Sequence, residues 1–135
     1  MFNSNDIKLS KGIIIPQTLA APHIVFKPEK GHLLIQGKSL LEDPYAFYTP
    51  IIQALREHVS SPNTPLFVEI NFVYLNSSSS RCFMEILTIL ENSDAPNKLV
   101  WYFENGDDIM EEKGEQFQSM VEMNFEIKEL QLNSK

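Results

Sequence analysis

The stretch from Leu66 to Leu75, LFVEINFVYL, constrains the fold more than any other part of this chain. Leu66, Val68, Ile70, Phe72 and Tyr74 alternate with Phe67, Glu69, Asn71 and Val73. A period of two is the signature of a β-strand. The second set is also partly apolar, which predicts a central strand covered on both faces. A central strand needs partners on each side, and the flanking sequence must supply them.

Upstream, His23–Lys27 and His32–Gln36 are short β-rich runs joined by Pro28-Glu29-Lys30-Gly31. Proline presets a turn φ and glycine accepts a positive one, so a hairpin is expected. A helix from Tyr45 to Val59 follows, because Phe47, Ile51, Leu55 and Val59 recur every four residues. Downstream come a helix over 79–92, a strand over Leu99–Phe103, a helix to Val121 and an edge-like strand, Phe125–Leu130. Asp108 and Glu111 have the form of a capping box for the third helix. Gly114 inside that helix costs about 1 kcal/mol against alanine, which points to close packing there.

The order is ββαβαβαβ. Strands separated by helices imply right-handed crossovers and a mostly parallel sheet, with the hairpin adding an antiparallel edge. The fold class is therefore α/β, a mixed sheet with packed helices. At 135 residues the chain has room for one domain. Residues 1–20 are expected to be a flexible N-terminal arm, and residues 21–132 the folded domain.

The net charge is −7. Such a surface repels phosphodiester backbones and anionic lipid, so neither nucleic acid nor membrane is expected as a partner. Cys82 is the lone cysteine, which excludes an intrachain disulfide and fits a reducing compartment. No apolar run has the length of a membrane span, and no secretory signal is read at the start. The expected location is cytoplasmic.

Chemistry is hard to find. His23, His32 and His58 lie far apart, with no zinc-like spacing. The bland reading puts them at strand ends or on the surface. The run Glu104, Asp107, Asp108, Glu111, Glu112 lacks the calcium-loop pattern. Glycine-rich phosphate loops and the G-x-S-x-G elbow are absent too. No metal, no cofactor and no enzyme activity are expected.

What remains is Tyr74-Leu75-Asn76-Ser77-Ser78-Ser79-Ser80-Arg81. One serine suffices to cap a helix, and a cap or loop is the plainer reading of the run by itself. The alternative is a modification or anion site. The run joins the C-terminal end of a strand to a helix N-terminus, where a phosphate meets free N–H groups and a favourable dipole. In the helix that follows, Arg81, Glu85, Thr88 and Asn92 share one polar stripe, opposite Phe83, Ile86, Leu87 and Leu90. Cys82 and Ile89 fall on one flank and Met84 on the other, positions suited to a docking surface or to a wide core face.

These residues, with several other segments, resemble the SiaC-type biofilm-regulating phosphoproteins. The serine stretch is similar to that family's Y-x-N-T-S-S-S-K motif. Gly37-Lys38-Ser39, Glu42-Asp43-Pro44 and Phe47-Tyr48-x-Pro50 resemble its G-x-S…E-N-P…F-Y-x-P segment. Leu87–Glu91 resembles its L-x-x-L-E helix. Val100–Phe103, Asp107-Asp108-x-Met110 and Gly114-Glu115-x-Phe117 resemble its W-Y-Y…D-E-D-M…G-E-E-F end. The resemblance spans roughly residues 20–130.

The resemblance implies a STAS-like (anti-sigma-factor-antagonist) fold and a non-enzymatic signalling role. It implies reversible phosphorylation by a serine/threonine kinase of histidine-kinase-like fold and removal by a PP2C-like phosphatase. It implies docking of the unmodified form on an effector such as a diguanylate cyclase, and so control of cyclic-di-GMP. The acceptor carried over is Ser77, where the family usually has threonine, with Ser78 as the alternative. Asn76, Ser78, Ser79 and Arg81 then shape the site, and Cys82, Met84, Thr88 and Ile89 lie near the partner-binding surface. Two other readings stay open: a STAS-like domain binding a small anion or nucleotide, and an enzyme with a serine nucleophile.

Overall fold

The computed structural model describes residues 12–60 and 64–131. Its strands are β1 (Ile13–Ile15), β2 (His23–Lys27), β3 (His32–Ser39), β4 (Phe67–Leu75), β5 (Lys98–Glu104) and β6 (Asn124–Leu130). Its helices are α1 (Pro44–Val59), α2 (Ser77–Glu91) and α3 (Asp108–Ser119). The strands form one sheet whose spatial order is the chain order, β1-β2-β3-β4-β5-β6. The pairs β1–β2 and β2–β3 are antiparallel, and β3–β4, β4–β5 and β5–β6 are parallel.

That order decides where the helices go. Each crossover between parallel strands is right-handed, and the strand order never reverses, so every helix lands on the same face. The core contacts agree. Ser39 of β3 meets Tyr48 of α1, Phe72 of β4 stacks edge-on against Phe83 of α2, and Trp101 of β5 packs on Phe117 of α3. The core is the single layer between sheet and helices.

One expectation about β4 is corrected as a result. Its helix-facing residues Val68, Ile70 and Phe72 are at most 1% exposed, but Phe67 and Val73 on the other face are 39% and 41% exposed. The mixed pattern of this second set is that of an open face. Glu69, in its middle, accepts a hydrogen bond from Tyr102 Oη (2.9 Å) and lies 2.8 Å from His32 Nε2. This polar cluster interrupts an otherwise apolar stripe.

The hairpin forms as expected, with its turn ending at Gly31. Gly31 has φ +65°, and an added Cβ there would stand 2.5 Å from the Pro65 carbonyl oxygen. Only glycine fits this position without strain. The arm expected over residues 1–20 falls partly outside the described residues. Within them, Ile13–Ile15 pairs with Ile24–Phe26 as the edge strand β1, and Ala20 O accepts from Leu40 N at 2.8 Å. Three apolar residues before a proline are too few for periodicity to separate a strand from a tail.

Two helix starts also move. The second helix begins at Ser77, capped by Asn76. The third is capped by Asp107, whose carboxylate accepts from Met110 N, so Asp108 is the first helical residue.

Candidate functional site

The four serines occupy the first turn of α2, at the C-terminal end of β4. Asn76 is in extended backbone conformation at the cap, and its side-chain oxygen accepts from Ser79 N at 2.9 Å. Its Nδ2 donates to Leu41 O at 3.2 Å, and its backbone N–H donates to Ser39 O at 3.1 Å. One asparagine thus caps the helix and ties it to the β3–α1 loop. Asn76→Ala removes the cap and the tie together, and is expected to lower stability by about 1–2 kcal/mol, read by urea unfolding. Asn76→Asp keeps the cap acceptor and is expected to lose less.

The serines are not equivalent. Ser79 is fully buried and accepts a hydrogen bond from Ser39 Oγ at 2.8 Å. Ser39 Oγ in turn lies 2.8 Å from Tyr48 Oη. With Ser39 donating to Ser79, the phenol donates to Ser39, and three buried hydroxyls satisfy one another across β3, α1 and α2. Burial pushes the Tyr48 phenol well above its usual range. Ser80 Oγ is also buried, without a partner among the described residues. Ser78 is half-buried and its hydroxyl leans toward Asn76 Oδ1 at 3.4 Å. Ser77 is exposed.

Ser77 is the first residue of α2 and Ser78 the second. Ser79 N is taken by the cap and Ser80 N donates to Asn76 O. Among the described residues, the backbone N–H groups of Ser77 and Ser78 find no acceptor. Two free donors at the positive end of a helix dipole are suited to an anion. Arg81 is exposed one turn later on the same face and forms no ion pair among the described residues.

The proposed docking residues fare differently. The polar stripe Arg81, Glu85, Thr88 and Asn92 is outward, and Phe83, Ile86, Leu87 and Leu90 are core. Cys82, however, is fully buried and Ile89 only 6% exposed, so neither offers a surface. The cause is α1, which packs beside α2 on the same face of the sheet and covers that flank. Burial, with the carboxylates of Glu85 and Asp43, pushes the Cys82 thiol upward. Native protein is therefore expected to leave Cys82 unmodified by a thiol reagent at pH 8, with full labelling once urea unfolds it. Raised thiol and phenol values have a second consequence. Their stabilising contribution is complete below the unfolded values and is lost as pH rises through and above them, so stability falls above about pH 9.

Met84 is half-buried against the core, and Thr88 is exposed with its hydroxyl returned to Met84 O. Thr88 lies eleven residues along the helix from Ser77, about 16 Å at about 1.5 Å per residue. It lines a groove of about 340 Å3 between α1 and α2 with Arg56, Val59 and Ile89.

Four of the exposed apolar groups gather at one end of the sheet. Tyr74 (50%), Val73 (41%), Leu40 (40%) and Tyr45 (49%) lie at the C-terminal end of the parallel strands, on the segments that Asn76 ties together. They flank Ser77 in sequence or across the Asn76–Leu41 bond. Sequence reasoning missed them as a group, because Leu40 and Tyr45 come to the same end of the sheet as Tyr74 only through the fold.

No helix among the described residues is long and apolar enough to cross a membrane. His58 is buried and bonds Thr64 O, contrary to the expected surface or strand-end histidine.

Comparison with known proteins agrees with this geometry. The family model described as SiaC family regulatory phosphoprotein matches residues 15–130. Uncharacterized protein PA14_02130 of Pseudomonas aeruginosa (strain UCBPP-PA14) is 28% identical over 116 residues, covering 84% of this chain and 92% of that protein. Among solved structures, SiaC of Pseudomonas aeruginosa superposes with a TM-score of 0.82 at 26% identity, covering 89% of this chain and 99% of that one. A second, the diguanylate cyclase SiaD in complex with its activator SiaC from the same organism, gives 0.83 at 27% identity, covering 87% and 99%.

Proposed function

The chain belongs to the SiaC family of regulatory phosphoproteins, and from that premise we propose that it is a non-enzymatic partner switch set by phosphorylation of Ser77. A serine/threonine kinase of histidine-kinase-like fold adds the phosphate and a PP2C-like phosphatase removes it. The unmodified form docks on an effector, a diguanylate cyclase by analogy with the SiaC–SiaD complex.

The observation that carries this reading is the sorting of the serines: Ser77 is exposed, while Ser79 and the Ser80 hydroxyl are turned into the core. A kinase needs a hydroxyl that can enter its active site, and Ser77 meets that need. Once added, a phosphate has the free N–H groups of Ser77 and Ser78 for partners, and the Arg81 guanidinium one turn away. It also brings nearly two negative charges to the end of the sheet where Leu40, Tyr45 and Tyr74 are exposed. A partner seated on that end must then bury a charge or leave.

The reading is tested by incubating the chain with ATP and a candidate kinase of that class, then mapping the phosphate by peptide mass spectrometry. One phosphate on Ser77 is expected. Ser77→Ala should abolish it and Ser78→Ala should not. Phosphate on Ser78 alone would move the acceptor by one residue, and phosphate on none of the four would sink the switch.

A further inference from the structure

The formal charge of this chain is unevenly distributed. Nine of its eighteen carboxylates but only two of its eleven Lys and Arg lie between Glu104 and Leu130. That segment carries −7, so the remainder is formally neutral. It comprises α3 and β6, the last strand of the sheet, and among the described residues nothing pairs with the outer edge of β6.

Between α3 and β6 runs an open groove of about 640 Å3. Phe103, Phe125 and Ile127 line it together with the carboxylates of Glu111, Glu115, Glu126 and Glu129. Glu129 accepts from Asn105. Glu111 and Glu115 have no cation among the described residues. Lys98 and Lys128 both pair with Glu126, and Lys113 of α3 forms no ion pair among the described residues.

The edge itself is half prepared for a partner. Gln118 Nε2 donates to Phe125 O at 2.8 Å, so the Phe125 carbonyl points off the sheet. Alternation then directs the backbone N–H and C=O groups of Ile127 and Glu129 outward as well. A groove between a helix and a free strand edge is the setting in which an extended segment adds to a sheet. The backbone supplies the bonds and alternate side chains fill the groove.

We propose that the α3–β6 groove binds an extended, Lys- or Arg-bearing segment of a partner protein, which adds as a strand beside β6. Charge selects this occupant. A second copy of the chain would bring one segment of net charge −7 against another, whereas a basic segment places cations on Glu111, Glu115 and Glu129 and an apolar side chain over Ile127. The proposal is independent of Ser77, which lies on a different strand–helix junction.

The test uses 15N-labelled chain and two capped twelve-residue peptides, one repeating Lys-Thr-Val-Thr, so that lysine and valine alternate on one face of the strand, and one repeating Glu-Thr-Val-Thr. With the basic peptide, the Ile127 and Glu129 amides should shift and exchange at least about tenfold more slowly. Affinity should fall at least about tenfold in the triple variant E111Q/E115Q/E129Q, whose near-isosteric changes at exposed or half-buried positions leave the fold intact, and fall with added salt. The acidic peptide should do neither. No shifts, shifts spread over the acidic surface without protection at Ile127 and Glu129, an unaffected triple variant, or self-association through β6 would each overturn the proposal.

Discussion

Ser77→Asp is expected to weaken docking on a diguanylate cyclase that the unmodified chain binds by about a hundredfold, or about 2.7 kcal/mol. The argument rests on where the charge goes. Ser77 is exposed at the first position of α2, at the end of the sheet where Leu40, Tyr45 and Tyr74 are also exposed. A carboxylate there must be stripped of water when a partner covers that end, and an unpaired charge in such a contact costs several kcal/mol. Arg81 and the two free N–H groups return part of that cost, which is why the expected loss stays well short of the full desolvation penalty. The phosphorylated chain, with nearly twice the charge, should lose more than the aspartate variant. Ser77→Ala adds no charge and should bind as the wild type does. Calorimetric titration of each form separates these outcomes. Equal affinity for Ser77→Asp and wild type would mean that the block is not electrostatic, or that the partner docks away from this end of the sheet.

Legibility in the sequence followed the range of the interactions involved. Local periodicity sufficed for β4 as far as Phe72, for the inner face of α2 and for the order of elements, because period two and period 3.6 are properties of one segment; past Phe72 the register against β3 shifts, and Tyr74, expected inward, is exposed while Leu75 is buried. The open face of β4 was not legible. Phe67 and Val73 look like core residues until the unreversed strand order puts all helices on the opposite side. Cys82 illustrates the same limit from the other direction. Its angular position on α2 is a flank, and a flank is surface or core depending on whether a neighbouring helix lies against it. Here α1 does. The serine run was legible as a helix start with a possible anion site, and the family resemblance singled out Ser77. That Ser79 is a structural hydroxyl depends on Ser39, forty residues away, and on Tyr48, which no local pattern connects. The gathering of exposed Leu40, Tyr45 and Tyr74 at one end of the sheet escaped for the same reason.

Gly114→Ala should destabilise the fold, although helix propensity alone says the reverse. Replacing a mid-helix glycine by alanine gains about 1 kcal/mol in an isolated helix. In this fold the new methyl would stand 2.9 Å from Trp101 Cγ, and closer still to Cδ1 and Nε1. The indole has nowhere to retreat. Its ring is packed among Phe72, Phe83 and Phe117 at centroid separations of 5.9, 5.7 and 5.5 Å, and its Nε1–H donates to Met110 O at 2.9 Å. Helix α3 must therefore lift from the sheet, weakening the contacts of Met110 and Phe117 as it moves. Overpacking of this kind costs about 1–3 kcal/mol, at the upper end when the obstacle is a rigid ring. A net loss of about 2 kcal/mol follows, which for a domain of this size lowers Tm by about 8 °C, measured by calorimetry. Trp101→Phe makes room for the methyl, so the double variant should be less destabilised than the two single changes predict together, with a coupling of about 1 kcal/mol or more. If alanine raises Tm instead, propensity outweighs packing at this contact and the glycine owes its place to something other than the indole beneath it.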